Sequence, residues 1–239
     1  MRRAILVNIS VLFTLTASVA WGKDAIYFYN RGLESSMANK RIEYFTQALQ
    51  LNPKLAEAYE KRALHYYFQR KYDKAIPDYT KVIEIEPQAV EAYRMRGLCY
   101  LKDGQLDEAA ADLNRAVELD PEQANSYSYR AEAYLLKGMA AEALRDSTKA
   151  IDLRGDPRTI ASAYRTRAKA HQQLGHVEQS EADFDKSFEL DPRYALVRYL
   201  ASTASLESVR RMGLFGIIAI VFIGIFHVSL RAPNKKDQH

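Results

Sequence analysis

The 239-residue sequence holds one cysteine, Cys99, and one tryptophan. A lone cysteine excludes an intramolecular disulfide framework and any multi-cysteine metal site. It leaves the redox compartment open. Catalytic signatures are also missing: HExxH, CxxC, GxSxG and phosphate-loop patterns do not occur. His65, His171 and His176 are scattered, and the carboxylates fall at helical spacing, as on solvated faces. Neither an enzyme, a cofactor, a metal nor a small-molecule substrate is expected. A basic stripe for phosphates is lacking as well. The formal net charge is +4, yet residues 21–212 carry 29 basic and 29 acidic side chains. Nucleic acid is therefore not an expected partner.

The excess basic residues sit at the two ends, beside the only long apolar runs. Arg2 and Arg3 precede an apolar stretch from Ala4 to about Ala20, which small residues follow. This is the pattern of a secretory signal peptide over 1–22, with cleavage after Ala20 or Gly22. An uncleaved N-terminal anchor is the alternative. Gly213 to Leu230 has no formally charged residue, with Arg210 and Arg211 before it and Arg231 after it. At about 1.5 Å per residue it reaches roughly 27 Å, close to a bilayer core. A single-pass transmembrane helix over 213–230 is expected, with a cytoplasmic tail over 231–239. Both readings of the N-terminus put the central region outside the cytoplasm, and a periplasm is the expected compartment.

Proline and glycine are few, seven and ten, but they are not randomly placed. Pro53, Pro87 and Pro121 are 34 residues apart and close the phrases ALQLNP, VIEIEP and AVELDP. Pro192 closes SFELDP, and AIDLRGDP reaches Pro157 two residues late. A second phrase opens each unit: AYEKRALHY, AYRMRGLCY, SYSYRAEAY and AYRTRAKAH. Tyr59, Tyr93, Tyr127 and Tyr164 hold one position in it. Arg62, Arg96, Arg130 and Arg167 hold the next, and Ala63, Gly97, Ala131 and Ala168 a small site after it.

This 34-residue pattern resembles the tetratricopeptide repeat, or TPR. The resemblance implies an all-α, right-handed α-solenoid of about five helix–turn–helix repeats over 25–192. Their approximate bounds are 25–55, 56–89, 90–123, 124–157 and 161–194. The first is degenerate: Arg31 to Pro53 is three residues shorter than Arg62 to Pro87. Residues 195–212 read as a capping helix. Small residues are expected to let paired helices approach, with Tyr59 and its equivalents filling the gaps beside them. Gly104, Gly138 and Gly175 are expected to end the first helix of their repeats. Cys99 has His65, Ala133 and Ala170 as equivalents, and Arg96 recurs in every repeat. It is expected to pack, not react.

The resemblance also implies a concave groove lined by the first helix of each repeat. Its lining would include Glu60, Leu64 and Tyr67, then Arg94, Leu98 and Leu101, then Glu132 and Leu135, then Arg165 and Lys169. A protein or peptide partner follows as an expectation. The chain reads as a membrane-anchored adaptor, a non-enzymatic scaffold for an envelope or secretion complex. Alternatives are a chaperone-like receptor for unfolded or translocating chains and a tail-anchored cytosolic receptor. The residues that clamp a chaperone carboxylate in one TPR subclass are absent.

Overall fold

A computed structural model describes residues 24–191, and every regular element among them is a helix. The chain divides into two compact units, the first ending at Glu122 and the second beginning at Gln123. The first unit contains α1 (24–34), α2 (Ala38–Leu51), α3 (Ala56–Phe68), α4 (Tyr72–Ile85), α5 (Val90–Asp103) and α6 (Leu106–Leu119). The second contains α7 (Ala124–Leu136), α8 (Ala140–Asp152), α9 (Pro157–Gln173) and α10 (Val177–Leu190). Short connections fold neighbouring helices back on each other. In the first unit α3 packs on α4 and α5 on α6. In the second α7 packs on α8, and α9 on α7, α8 and α10. The expected signal peptide, capping helix and transmembrane span lie outside the described residues. Among the described residues no helix is long and apolar enough to cross a membrane.

One turn recurs. Gly104 follows α5 at φ 84°, and the Gln105 N–H donates to the Tyr100 carbonyl at 2.9 Å. This six-to-one bond closes a helix through a left-handed residue. It recurs from Lys71 to Tyr66 and Met139 to Tyr134 at 2.9 Å, and from His176 to His171 at 2.8 Å. After α3 the left-handed residue is Arg70, φ 58°, where the other repeats use glycine. The sequence pattern misses this turn for lack of its glycine. The short first repeat has a local cause: α3 runs on from Arg62 to Phe68, whereas α1 ends at 34, just past Arg31.

Pro157 does not close the fourth repeat. It opens α9, with Asp156 as the N-cap accepting from the N–H groups of Arg158 and Thr159 at 3.0 and 3.1 Å. Proline suits the first helical turn because its missing N–H would have no partner there. The hydrogen bonds from Thr159, its hydroxyl first, hold the Asp156 carboxyl below its ordinary pKa. So α9 begins at Pro157, about one turn before residue 161.

The core is small residues with a few large ones between them. Ala63, Ala131 and Ala168 are fully buried, and Gly97 is buried. A Cβ on Gly97 would stand 2.9 Å from Leu113 Cγ. The large side chain beside that small site therefore comes from the second helix of the same repeat. Tyr59, Tyr93, Tyr127 and Tyr164, the tyrosines expected to fill these gaps, are half-buried. In the second unit serine replaces alanine at Ser187, which is fully buried; its hydroxyl donates to the Ala161 carbonyl at 2.9 Å.

Candidate functional site

The recurring arginines hold each repeat together. Arg62 bonds Asp78 through Nε and Nη2 at 2.8 and 2.7 Å. Arg96 bonds Asp112 at 2.7 and 2.8 Å, Arg130 bonds Asp146 at 2.6 and 2.8 Å, and Arg167 bonds Asp183 at 2.7 and 2.7 Å. Each pair is a fork-to-fork contact, the strongest carboxylate geometry open to arginine. The remaining nitrogen reaches back one helix. Arg62 Nη1 donates to Thr46 Oγ1 at 3.0 Å, Arg96 Nη1 to Thr80 Oγ1 at 2.9 Å and Arg167 Nη1 to Thr148 Oγ1 at 3.3 Å. Thr46 and Thr80 donate in turn to the carbonyls of Ile42 and Ile76. Each guanidinium also lies 5.2–5.9 Å from the ring centre of the tyrosine three residues before it. The tyrosines and arginines of the opening phrase are thus one cation–π and ion-pair unit. Its hydrogen bonds to Asp112 push Arg96 above the ordinary arginine pKa, against burial. Burial pushes Asp78 up, and Arg62 holds it back. These groups are structural, and they settle why the arginines recur.

The groove positions split. Glu60, Leu64, Tyr67 and Arg94 are half-buried in the first unit, on α3 and α5. Leu98 and Leu101 are only 4% exposed and offer almost no side chain to a ligand. In the second unit Glu132 and Arg165 are half-buried and Lys169 is exposed. Leu135 packs in a core cluster with Ala140, Ala143 and Ala170. Leu98, Leu101 and Leu135 are therefore buried, with little side chain at the surface. The repeat number places them on the right helix but ignores how closely the small-residue helices approach.

What converges on the first unit's face is polar and aromatic. Burial pushes the Tyr79 hydroxyl on α4 above the ordinary tyrosine pKa, with Cys99, Glu91 and Glu60 adding. Burial also pushes Tyr29 on α1 up, with Lys61 opposing and Glu57 and Glu60 adding. Glu60 pairs with Lys61 at 3.1 Å, and Glu91 pairs with Arg94. Tyr67 meets Phe68 and Tyr72 at centroid distances of 5.8 Å, and Phe68 is 70% exposed. On the second unit, Arg165 Nη2 donates to Ser162 Oγ at 3.1 Å, and the Thr159 hydroxyl on α9 is bonded to the Asn125 side-chain amide on α7. A shallow cleft there is lined by Ile151, Pro157, Ile160, Tyr164 and Leu190.

Chemistry-bearing groups elsewhere are few. Cys99 is fully buried, and burial, with Asp103 adding, pushes its thiol up to about 12. Its alkylation by iodoacetamide at pH 8 is expected to run on the order of a thousandfold slower than that of an exposed thiol, and to reach the normal rate in urea. Thiol-labelling kinetics with mass detection check this; fast labelling of the folded chain contradicts the packing role. His171 and His176 are not scattered. Their Nδ1 atoms stand 3.2 Å apart. Among the described residues no group of three or more His, Cys, Asp or Glu side chains is placed to hold a metal.

Comparisons with known proteins agree with this geometry. Models of the tetratricopeptide repeat match residues 60–124 and 161–194. No curated protein matches the chain by sequence. Solved structures do. YrrB, described as a TPR protein with an unusual peptide-binding site, is 23% identical at a TM-score of 0.61, covering 75% of this chain and 92% of its own. A MamA fragment from Desulfovibrio magneticus RS-1 is 19% identical at 0.63, covering 72% and 96%. TTC0263, a thermophilic TPR protein of Thermus thermophilus, is 19% identical at 0.58, covering 76% and 99%. At these identities the likeness is one of fold. Repeating helix pairs, four arginine–aspartate forks and the two matched segments lead to one conclusion: this chain carries tetratricopeptide repeats over residues 60–124 and 161–194.

Proposed function

We propose that the chain is a membrane-anchored, non-enzymatic adaptor that holds a peptide or partner helix on the α3–α5 face of its first unit. The observation that carries this is the pair of charge contacts on neighbouring first helices, Glu60 with Lys61 on α3 and Glu91 with Arg94 on α5, beside half-buried Leu64 and Tyr67. Charges already paired on a surface exchange partners with a peptide at low cost in desolvation. The tyrosines give amphipathic area with few rotatable bonds. YrrB supports the reading as a relative in fold with a peptide-binding site. The apolar run at 213–230, the N-terminal run and their basic flanks support an anchor, with the array outside the cytoplasm. A role in assembling an envelope or secretion complex rests on that placement.

The burial of Leu98 and Leu101 favours the adaptor over a chaperone-like receptor, because it removes half the apolar lining a promiscuous groove needs. It also rules out Leu98→Glu as a test of binding, since a buried charge there would test folding. Affinity capture from mildly solubilised membranes is the experiment, with the wild type beside Glu60→Lys/Glu91→Lys. One discrete partner, lost in the variant with helical content retained, is expected. Capture unchanged by the variant removes this face from the reading; a smear of nascent chains transfers it to the chaperone. Protease added to intact spheroplasts should cleave 24–191. Protection points to the tail-anchored cytosolic receptor.

A further inference from the structure

We propose that His171 and His176 form a site for a divalent transition-metal ion of the zinc type. The backbone builds it. The turn after α9 binds the His176 N–H to the His171 carbonyl at 2.8 Å, with Gly175 at φ 78° between them. That turn brings the backbone of its two end residues together in every repeat that has it. In the other repeats those residues are Tyr66 and Lys71, Tyr100 and Gln105, and Tyr134 and Met139. Only here are both imidazoles. Two departures from the repeat pattern fall on the same turn, and they face each other.

The geometry suits a metal. The Nδ1 atoms are 3.2 Å apart, and with metal–nitrogen bonds of about 2.05 Å that separation corresponds to an N–metal–N angle of about 100°, between octahedral and tetrahedral. His171 Nε2 stands 3.9 Å from the Asp183 carboxylate, an electrostatic contact too long for a hydrogen bond, and Nδ1 is the nitrogen turned toward His176. Asp183 is itself held by Arg167 through both oxygens. Without metal, a proton shared between the two Nδ1 atoms joins the rings, its donor set by the tautomers. A cation replaces that proton, and water fills the remaining positions. Two nitrogen donors select zinc, copper or nickel over magnesium or calcium. His176 is exposed, so the ion has access from solvent. The bound ion ties the end of α9 to the start of α10.

Zinc chloride titrated into the full-length chain against a chromophoric zinc chelator tests this. One zinc per chain is expected, held at least about tenfold more weakly by His171→Tyr and by His176→Ala. His171→Tyr restores the residue of Tyr66, Tyr100 and Tyr134, and His176→Ala removes an exposed ring. Circular dichroism confirms that both are folded. Cobalt should give the visible bands of a low-coordinate nitrogen site in the wild type, and magnesium should not compete. No zinc uptake by the wild type, or affinity unchanged in both folded variants, overturns the proposal.

Discussion

Replacing Asp112 with alanine is expected to destabilise the first unit by about 3 kcal/mol, because it strips Arg96 of its carboxylate and leaves a mostly buried guanidinium. Arg96 is 16% exposed and Asp112 is 9% exposed, so water replaces little of what is lost. Thr80 still accepts from Arg96, and the rings of Tyr93 and Tyr100 still lie beside it. None of these carries a compensating charge. The paired change Arg96→Met/Asp112→Leu removes both charges and fills their volume. It is expected to recover most of the loss, since a buried pair gives back much of its attraction as desolvation. Glu118→Ala, which breaks an exposed pair with Arg115, should leave stability near wild type. Urea titration followed by circular dichroism reads all three. If Asp112→Ala costs less than about 1 kcal/mol, the forks are decoration.

The arginine half of these forks is legible in the sequence and the aspartate half is not. Arg62, Arg96, Arg130 and Arg167 stand out because they share an aligned phrase. Asp78, Asp112, Asp146 and Asp183 sit in second helices whose local sequences differ, and each reads as one more solvated acid. Yet all four lie 16 residues after their arginine. A search for opposite charge at a constant offset within the 34-residue period would have found them. The helix pairs themselves are legible, because small and aromatic residues recur in phase. Pro157 is misread for the opposite reason: the motif ends in proline, and only the Asp156 cap shows that this one starts a helix.

The candidate face was legible only as helix membership. Position within a repeat puts Leu98, Leu101 and Leu135 on the inner helices, but their exposure depends on how small the neighbouring side chains are. Ala140, Ala143 and Ala170 close around Leu135. Sequence distance misled in the case of the histidines. His171 lies in α9 and His176 just before α10, and they look unrelated until the turn at Gly175 is recognised as one that joins its two ends.

Tyr79→Ala is expected to cost the first unit about 3–5 kcal/mol, the range for deleting a buried aromatic ring. Tyr79 is 1% exposed and is among the largest fully buried side chains among the described residues. The ring carries this, since among the described residues no hydrogen bond is made by its hydroxyl. Tyr79→Phe should therefore stay within about 1 kcal/mol of wild type. The informative variant is Tyr79→Ser. The equivalent positions in the next two repeats are Leu113 and Ser147, both fully buried. At Ser147 the hydroxyl donates to the Ala143 carbonyl at 2.6 Å, and Ala143 and Ala150 are buried on the same helix. At Tyr79 a ring fills the equivalent buried position. Tyr79→Ser should cost as much as Tyr79→Ala, despite serine being native at the same place in another repeat. Urea midpoints for the three variants separate the two ideas. A mild Tyr79→Ser would mean that the repeat position itself sets what is tolerated; a severe one means that each repeat packs against its own neighbours, and that a consensus residue is safe only with the shell that goes with it.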